Sequence, residues 1–70
     1  MQVYAVCVGK YSSTSESKDD QKKLNKMGYP AYLFSMNGYY TLKVFTTPDI
    51  EKAEYGKMVL ESKGFIAFVN

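Results

Sequence analysis

Cys7 is the only thiol in the chain, and no histidine accompanies it. One cysteine cannot close an internal disulfide, and without His or a second Cys the nitrogen and sulfur ligands that zinc takes are missing. Nothing beside Cys7 in sequence lowers a thiol pKa, so it reads as a small strand residue rather than a nucleophile. Two groupings of acids, Asp19 with Asp20 and Glu51 with Glu54, fall in polar stretches of helical spacing. Such carboxylates are solvated helix faces rather than acid–base pairs. There is no Gly-rich phosphate loop and no nucleophile elbow. The expectation is a non-catalytic binding domain without a cofactor.

All nine basic residues are lysine, so the bidentate guanidinium fork used on phosphate and guanine is not available. What remains is the chemistry of rings and ammonium groups, from seven Tyr and four Phe interspersed with those lysines. Aromatic faces take the C–H side of a sugar, a nucleobase or another protein's apolar surface. The run Lys63-Gly64-Phe65-Ile66-Ala67-Phe68-Val69 shares the Lys-Gly-aromatic opening of the strand that stacks bases in RNA-recognition modules. The comparison needs an extra residue at Ile66, and the net charge of +2 is too small for a polyanion binder. Nucleic acid is therefore disfavoured as a partner.

A second explanation of that run is stronger. At an offset of 36 the chain pairs Tyr4 with Tyr40, Val8 with Val44, Leu24 with Leu60, Gly28 with Gly64 and Ala31 with Ala67, without a gap. Val6/Leu42, Tyr29/Phe65, Tyr32/Phe68 and Leu33/Val69 are conservative matches in the same register. Two copies of one unit are expected, at about residues 3–36 and 39–70 of a single domain spanning 1–70.

Each unit reads strand, helix, strand. Val3 to Tyr11 alternates with Tyr4, Val6 and Val8 on one side and Ala5, Cys7 and Gly9 on the other, a half-buried strand. Ser13-Thr14-Ser15-Glu16 reads as a capping box, and the helix behind it runs from acids to lysines and closes at Gly28, as the helix dipole and a left-handed cap prefer. Its inward stripe carries Ser17, Asp20 and Gln21 ahead of Leu24, a polar surface that implies a shallow core or cover by another chain. In the second unit Tyr39 to Thr46 is the strand, Thr47-Pro48-Asp49 opens the helix with Pro in its first turn, and Gly64 ends it. Gly56 inside that helix costs about 1 kcal/mol relative to Ala unless something packs closely on it. Asn37-Gly38 is the signature of a two-residue type I′ turn, so Ala31 to Met36 pairs antiparallel with Tyr39 to Thr46.

The fold expected is α+β: a ferredoxin-like βαββαβ order with a four-stranded antiparallel sheet and both helices on one face. The second face is then left open. If Val6, Val8, Leu33, Leu42, Val44 and Val69 point at the helices, alternation puts Cys7, Tyr32, Phe34, Tyr39, Thr41, Lys43 and Phe68 on the open face. These seven are the candidate ligand-binding residues. Lys43 contributes a cation that can bond hydroxyls or carboxylates.

The segments Tyr4-Ala5-Val6-Cys7-Val8-Gly9-Lys10-Tyr11, Lys26-Met27-Gly28-Tyr29-Pro30-Ala31-Tyr32-Leu33, Tyr40-Thr41-Leu42-Lys43-Val44 and Lys63-Gly64-Phe65, with a helix in each half, resemble a SPOR (sporulation-related) domain along the whole chain. The resemblance implies a bacterial cell-envelope module that binds peptidoglycan glycan strands, above all those stripped of stem peptides, at division sites. It implies fused partners such as amidases, division proteins or lipoproteins. The opening segment has no basic n-region and its apolar run is short, so no signal peptide or membrane span is expected here. An address outside the cytoplasm would then be carried by a preceding part of a longer protein. The alternative reading of the aromatic face is a protein-interaction or homodimer surface.

Overall fold

The computed structural model describes residues 2–70. In chain order the elements are β1 (Tyr4–Tyr11), a short 3-10 turn (Ser15–Ser17), α1 (Lys18–Lys26), β2 (Tyr32–Met36), β3 (Tyr39–Thr47), α2 (Ile50–Ser62) and β4 (Ala67–Val69). The strands form one sheet in the order β2-β3-β1-β4, with every neighbouring pair antiparallel. The smallest dimension of the molecule is 16 Å, the depth of one sheet and one layer of helix. Both helices therefore lie on the same side.

The core is where those layers meet. Val6 and Val8 of β1, Leu42 and Val44 of β3, Leu24 of α1, and Ala53 and Leu60 of α2 form one buried cluster, edged by Ala31 and Ala67. Positions matched by the 36-residue offset are buried alike: Leu24 and Leu60, Val6 and Leu42, Val8 and Val44, Ala31 and Ala67. Helix ends repeat as well. The Tyr29 N–H donates to the Leu24 carbonyl at 3.0 Å and the Phe65 N–H to the Leu60 carbonyl at 3.1 Å, the six-to-one bond of a Schellman cap, and in each case the capping ring packs against the core. Leu33 departs from the expected core. It is opposite Leu42 on the helix side, but β2 is the outermost strand and neither helix reaches over it, so it stays 40 % exposed.

The polar inward stripe of α1 is explained from within. Ser17 is buried and its hydroxyl donates to the Thr14 carbonyl at 2.7 Å. Asp20 accepts from the Tyr11 hydroxyl at 2.6 Å, and the Gln21 amide donates to the Ala31 carbonyl at 2.8 Å. Among the described residues no buried side-chain polar atom lacks a partner. The stripe is a satisfied polar seam, so the reading that it awaits another chain is not needed.

Two local expectations are corrected. The capping box does not close: Thr14 makes no side-chain cap bond, and Glu16 instead accepts from the Ser12 amide and hydroxyl. The turn Ser15–Ser17 that leads into the α-helix is wound as 3-10. At α2 the N-cap is Asp49, whose carboxylate accepts from the Glu51 N–H at 3.0 Å. Pro48 precedes the cap rather than occupying the first turn.

Candidate functional site

β1 and β3 each carry a bulge, and these decide which side chains reach the open face. On β1, Val8 is opposite Leu42 while Tyr11 is opposite Tyr40, so one residue more is spent on β1 than on β3. Gly9 takes up the excess at φ +74, a left-handed conformation that costs a residue with a Cβ about 1–2 kcal/mol. Alternation restarts beyond it. Lys10 is thereby turned to the open face and Tyr11 to the helix side, where its phenol meets Asp20. Burial, reinforced by the Asp20 carboxylate, pushes the Tyr11 phenol well above its ordinary pKa.

On β3 the irregularity lies between Val6/Phe45 and Cys7/Lys43, with Val44 as the extra residue. Val44 and Phe45 both go to the helix side in consequence. The Phe45 ring enters the space where α2 has no side chain, and a Cβ built at Gly56 would collide with it. The mid-helix glycine is thus a socket for an aromatic ring.

The seven candidate residues do share one face. Cys7 is directly opposite both Lys43 and Phe68, Tyr32 is opposite Lys43, Phe34 is opposite Thr41, and Tyr39 is two residues along β3 from Thr41. Their accessibility divides them. Cys7 and Thr41 are fully buried, roofed by the larger side chains around them, so neither presents an atom to a ligand. Burial also pushes the Cys7 thiol up, with Lys43 pulling weakly the other way, and a protonated thiol under a lid is not a nucleophile. The Thr41 hydroxyl has a structural role, donating to the Val8 carbonyl at 3.1 Å, beside the Gly9 bulge where the regular ladder is interrupted.

Above that floor, rings and ammonium groups alternate. Lys10 Nζ is 5.3 Å from the centre of the Tyr39 ring and 5.5 Å from that of Phe68. Lys43 Nζ is 4.3 Å from the Phe34 ring centre. All three distances lie within the roughly 6 Å range of cation–π attraction. Tyr32 stands at the β2 edge of the same face, 67 % exposed. Among the described strand residues none on this face is acidic, so no strand carboxylate competes with the rings for the two ammonium groups.

Lys10 is the residue that sequence reasoning missed. Simple alternation put it with the helix-facing set. The available signal was Gly9, because a glycine inside a strand marks a bulge. The geometry offers a flat platform of Tyr32, Phe34, Tyr39, Phe68, Lys10 and Lys43 with no pocket among the described residues, which suits an extended chain better than a small molecule enclosed on all sides. No cluster of three or more His, Cys, Asp or Glu that could hold a metal occurs among the described residues, and no helix among them is long and apolar enough to cross a membrane. No family model, no curated protein and no solved structure matches this chain.

Proposed function

We propose that this chain is a non-catalytic module that binds a glycan strand across its open sheet face, as the resemblance to SPOR domains implies. The observation that carries the reading is the pairing of Lys10 with Tyr39 and Phe68, and of Lys43 with Phe34, on one uncovered surface. Rings stack against the C–H faces of successive sugars. Ammonium groups bond sugar carboxylates and hydroxyls. A peptidoglycan strand without its stem peptides offers both, since removing the peptide frees the lactyl carboxylate that had been amide-linked. Cys7 and Thr41 have no part in contact.

The test is co-sedimentation of the protein with intact sacculi and with amidase-stripped sacculi, in low and moderate salt. Pelleting is expected to increase on stripped sacculi, and affinity to fall by about tenfold for Phe68→Ala and for Lys10→Gln, the loss of one hot-spot contact each. Tyr32→Ala should weaken it less, being at the rim. A folded protein that stays in the supernatant with both preparations would overturn the glycan reading and leave the face to a protein partner.

A further inference from the structure

We propose that β2 is a self-association edge, through which two copies of this chain pair antiparallel about a two-fold axis at Phe34. The inference does not depend on the ligand of the open face. β2 is the outermost strand on its side, and its sequence Tyr-Leu-Phe-Ser-Met contains no charge and no proline. Four of its five residues are exposed. Edge strands of monomeric proteins are ordinarily blunted by brevity, by lysine, by proline or by a bulge. The opposite edge, β4, is three residues long; β2 has none of these devices.

Hydrogen-bond parity and the two ends of the strand together select one register. The two-residue turn at Asn37-Gly38 makes Met36 and Tyr39 a hydrogen-bonded pair, and alternation makes Phe34/Thr41 and Tyr32/Lys43 the next ones. Leu33 and Ser35 therefore direct their N–H and C=O groups away from the sheet. An antiparallel second β2 centred on Phe34 brings Leu33 opposite Ser35 of the second copy and Ser35 opposite its Leu33, each pair exchanging both N–H···O bonds. Centring on Leu33 instead would enlist Ala31, which lies outside the strand and whose carbonyl is already drawn to the Gln21 amide. Centring on Ser35 would enlist Asn37, which is in the turn at φ +45.

Side chains agree with that register. Phe34 meets its own counterpart in a non-hydrogen-bonded pair, where side chains approach most closely, and Tyr32 meets Met36 of the second copy. Leu33 loses the exposure that neither helix relieves. No like charges oppose one another along the seam, so a second copy is not repelled. The product is a continuous sheet of twice four strands, with the two aromatic faces side by side and still open.

Sedimentation equilibrium of the full chain from micromolar to millimolar concentration reads the mass directly. The expected result is a rise from 8.0 kDa to twice that value. Ser35→Pro and Leu33→Lys should each hold the mass at the monomer value, with unchanged circular dichroism, because the Ser35 N–H is not used within the sheet. Phe34→Cys should oxidise to a linked dimer, and Leu33→Cys should do so far less. A monomer at every concentration overturns the proposal; so does a dimer that persists in both edge variants. The two proposals fail separately, since Phe68→Ala acts on pelleting and Ser35→Pro on mass.

Discussion

Tyr11 is the clearest case of a single side chain set by its surroundings. Its phenol donates to Asp20 at 2.6 Å, and burial with that carboxylate beside it disfavours the phenolate. A group whose folded pKa is raised contributes stability that is complete below its unfolded pKa, about 10 for Tyr, and that is lost as pH rises toward the folded value. Chemical denaturation at stepped pH should therefore show stability falling above about pH 10. Tyr11→Phe should lose about 1 kcal/mol at neutral pH from the missing hydrogen bond and show a shallower alkaline decline. A variant with the wild-type alkaline slope would assign that decline to other groups, such as Cys7, whose thiol is also pushed up by burial.

Elements depend here on two glycines that act in opposite ways. Gly9 permits the bulge that turns Lys10 outward; a Cβ there would be strained at φ +74 and would also collide with the Tyr11 ring. Gly9→Ala should cost at least about 2 kcal/mol from the left-handed backbone and the overlap together, and should reduce sacculus binding further than the stability loss explains, because the Lys10 direction changes. Gly56 permits nothing unusual in the backbone of α2; it leaves room for Phe45. Gly56→Ala gains about 1 kcal/mol of helix propensity yet should be net destabilising by about 1–2 kcal/mol from overpacking. The double variant Gly56→Ala with Phe45→Leu should recover part of that loss, and urea titration of the wild type, the two single variants and the double variant gives the coupling. Additive effects would mean the ring and the socket are independent.

At the scale of the molecule, 70 residues support a total stability of only about 4–10 kcal/mol, divided between two halves that bury equivalent leucines. Leu24→Ala and Leu60→Ala should each cost about 2–5 kcal/mol. Leu24→Ala is expected to be the more damaging. It is the only buried apolar residue of α1, whereas α2 also buries Ala53 and packs on Phe45. Thermal melting by circular dichroism checks the order: a higher melting temperature for Leu24→Ala than for Leu60→Ala would count against it.

The element order, the hairpin at Asn37-Gly38, the glycine caps and the two faces of β2, and of β1 and β3 up to their bulges, were legible in the sequence alone. Each is written in local spacing: a period of two in strands, a turn dipeptide, or a cap. The 36-residue self-match paired Leu24 with Leu60, Val6 with Leu42 and Val8 with Val44, all buried, but it also paired Leu33 with Val69, and Leu33 stays exposed at the sheet edge. Only the tertiary structure decided the rest. Alternation carries no information across a bulge, so Lys10 and Phe45 each came out on the face opposite to simple parity. A face says nothing about exposure, so Cys7 and Thr41 were counted as contacts although neighbouring side chains roof them. The partners of Asp20 and Gln21, Tyr11 and the Ala31 carbonyl, are nine and ten residues away. A polar helix stripe can be recognised from sequence, but what satisfies it depends on which distant groups the fold brings within bonding distance.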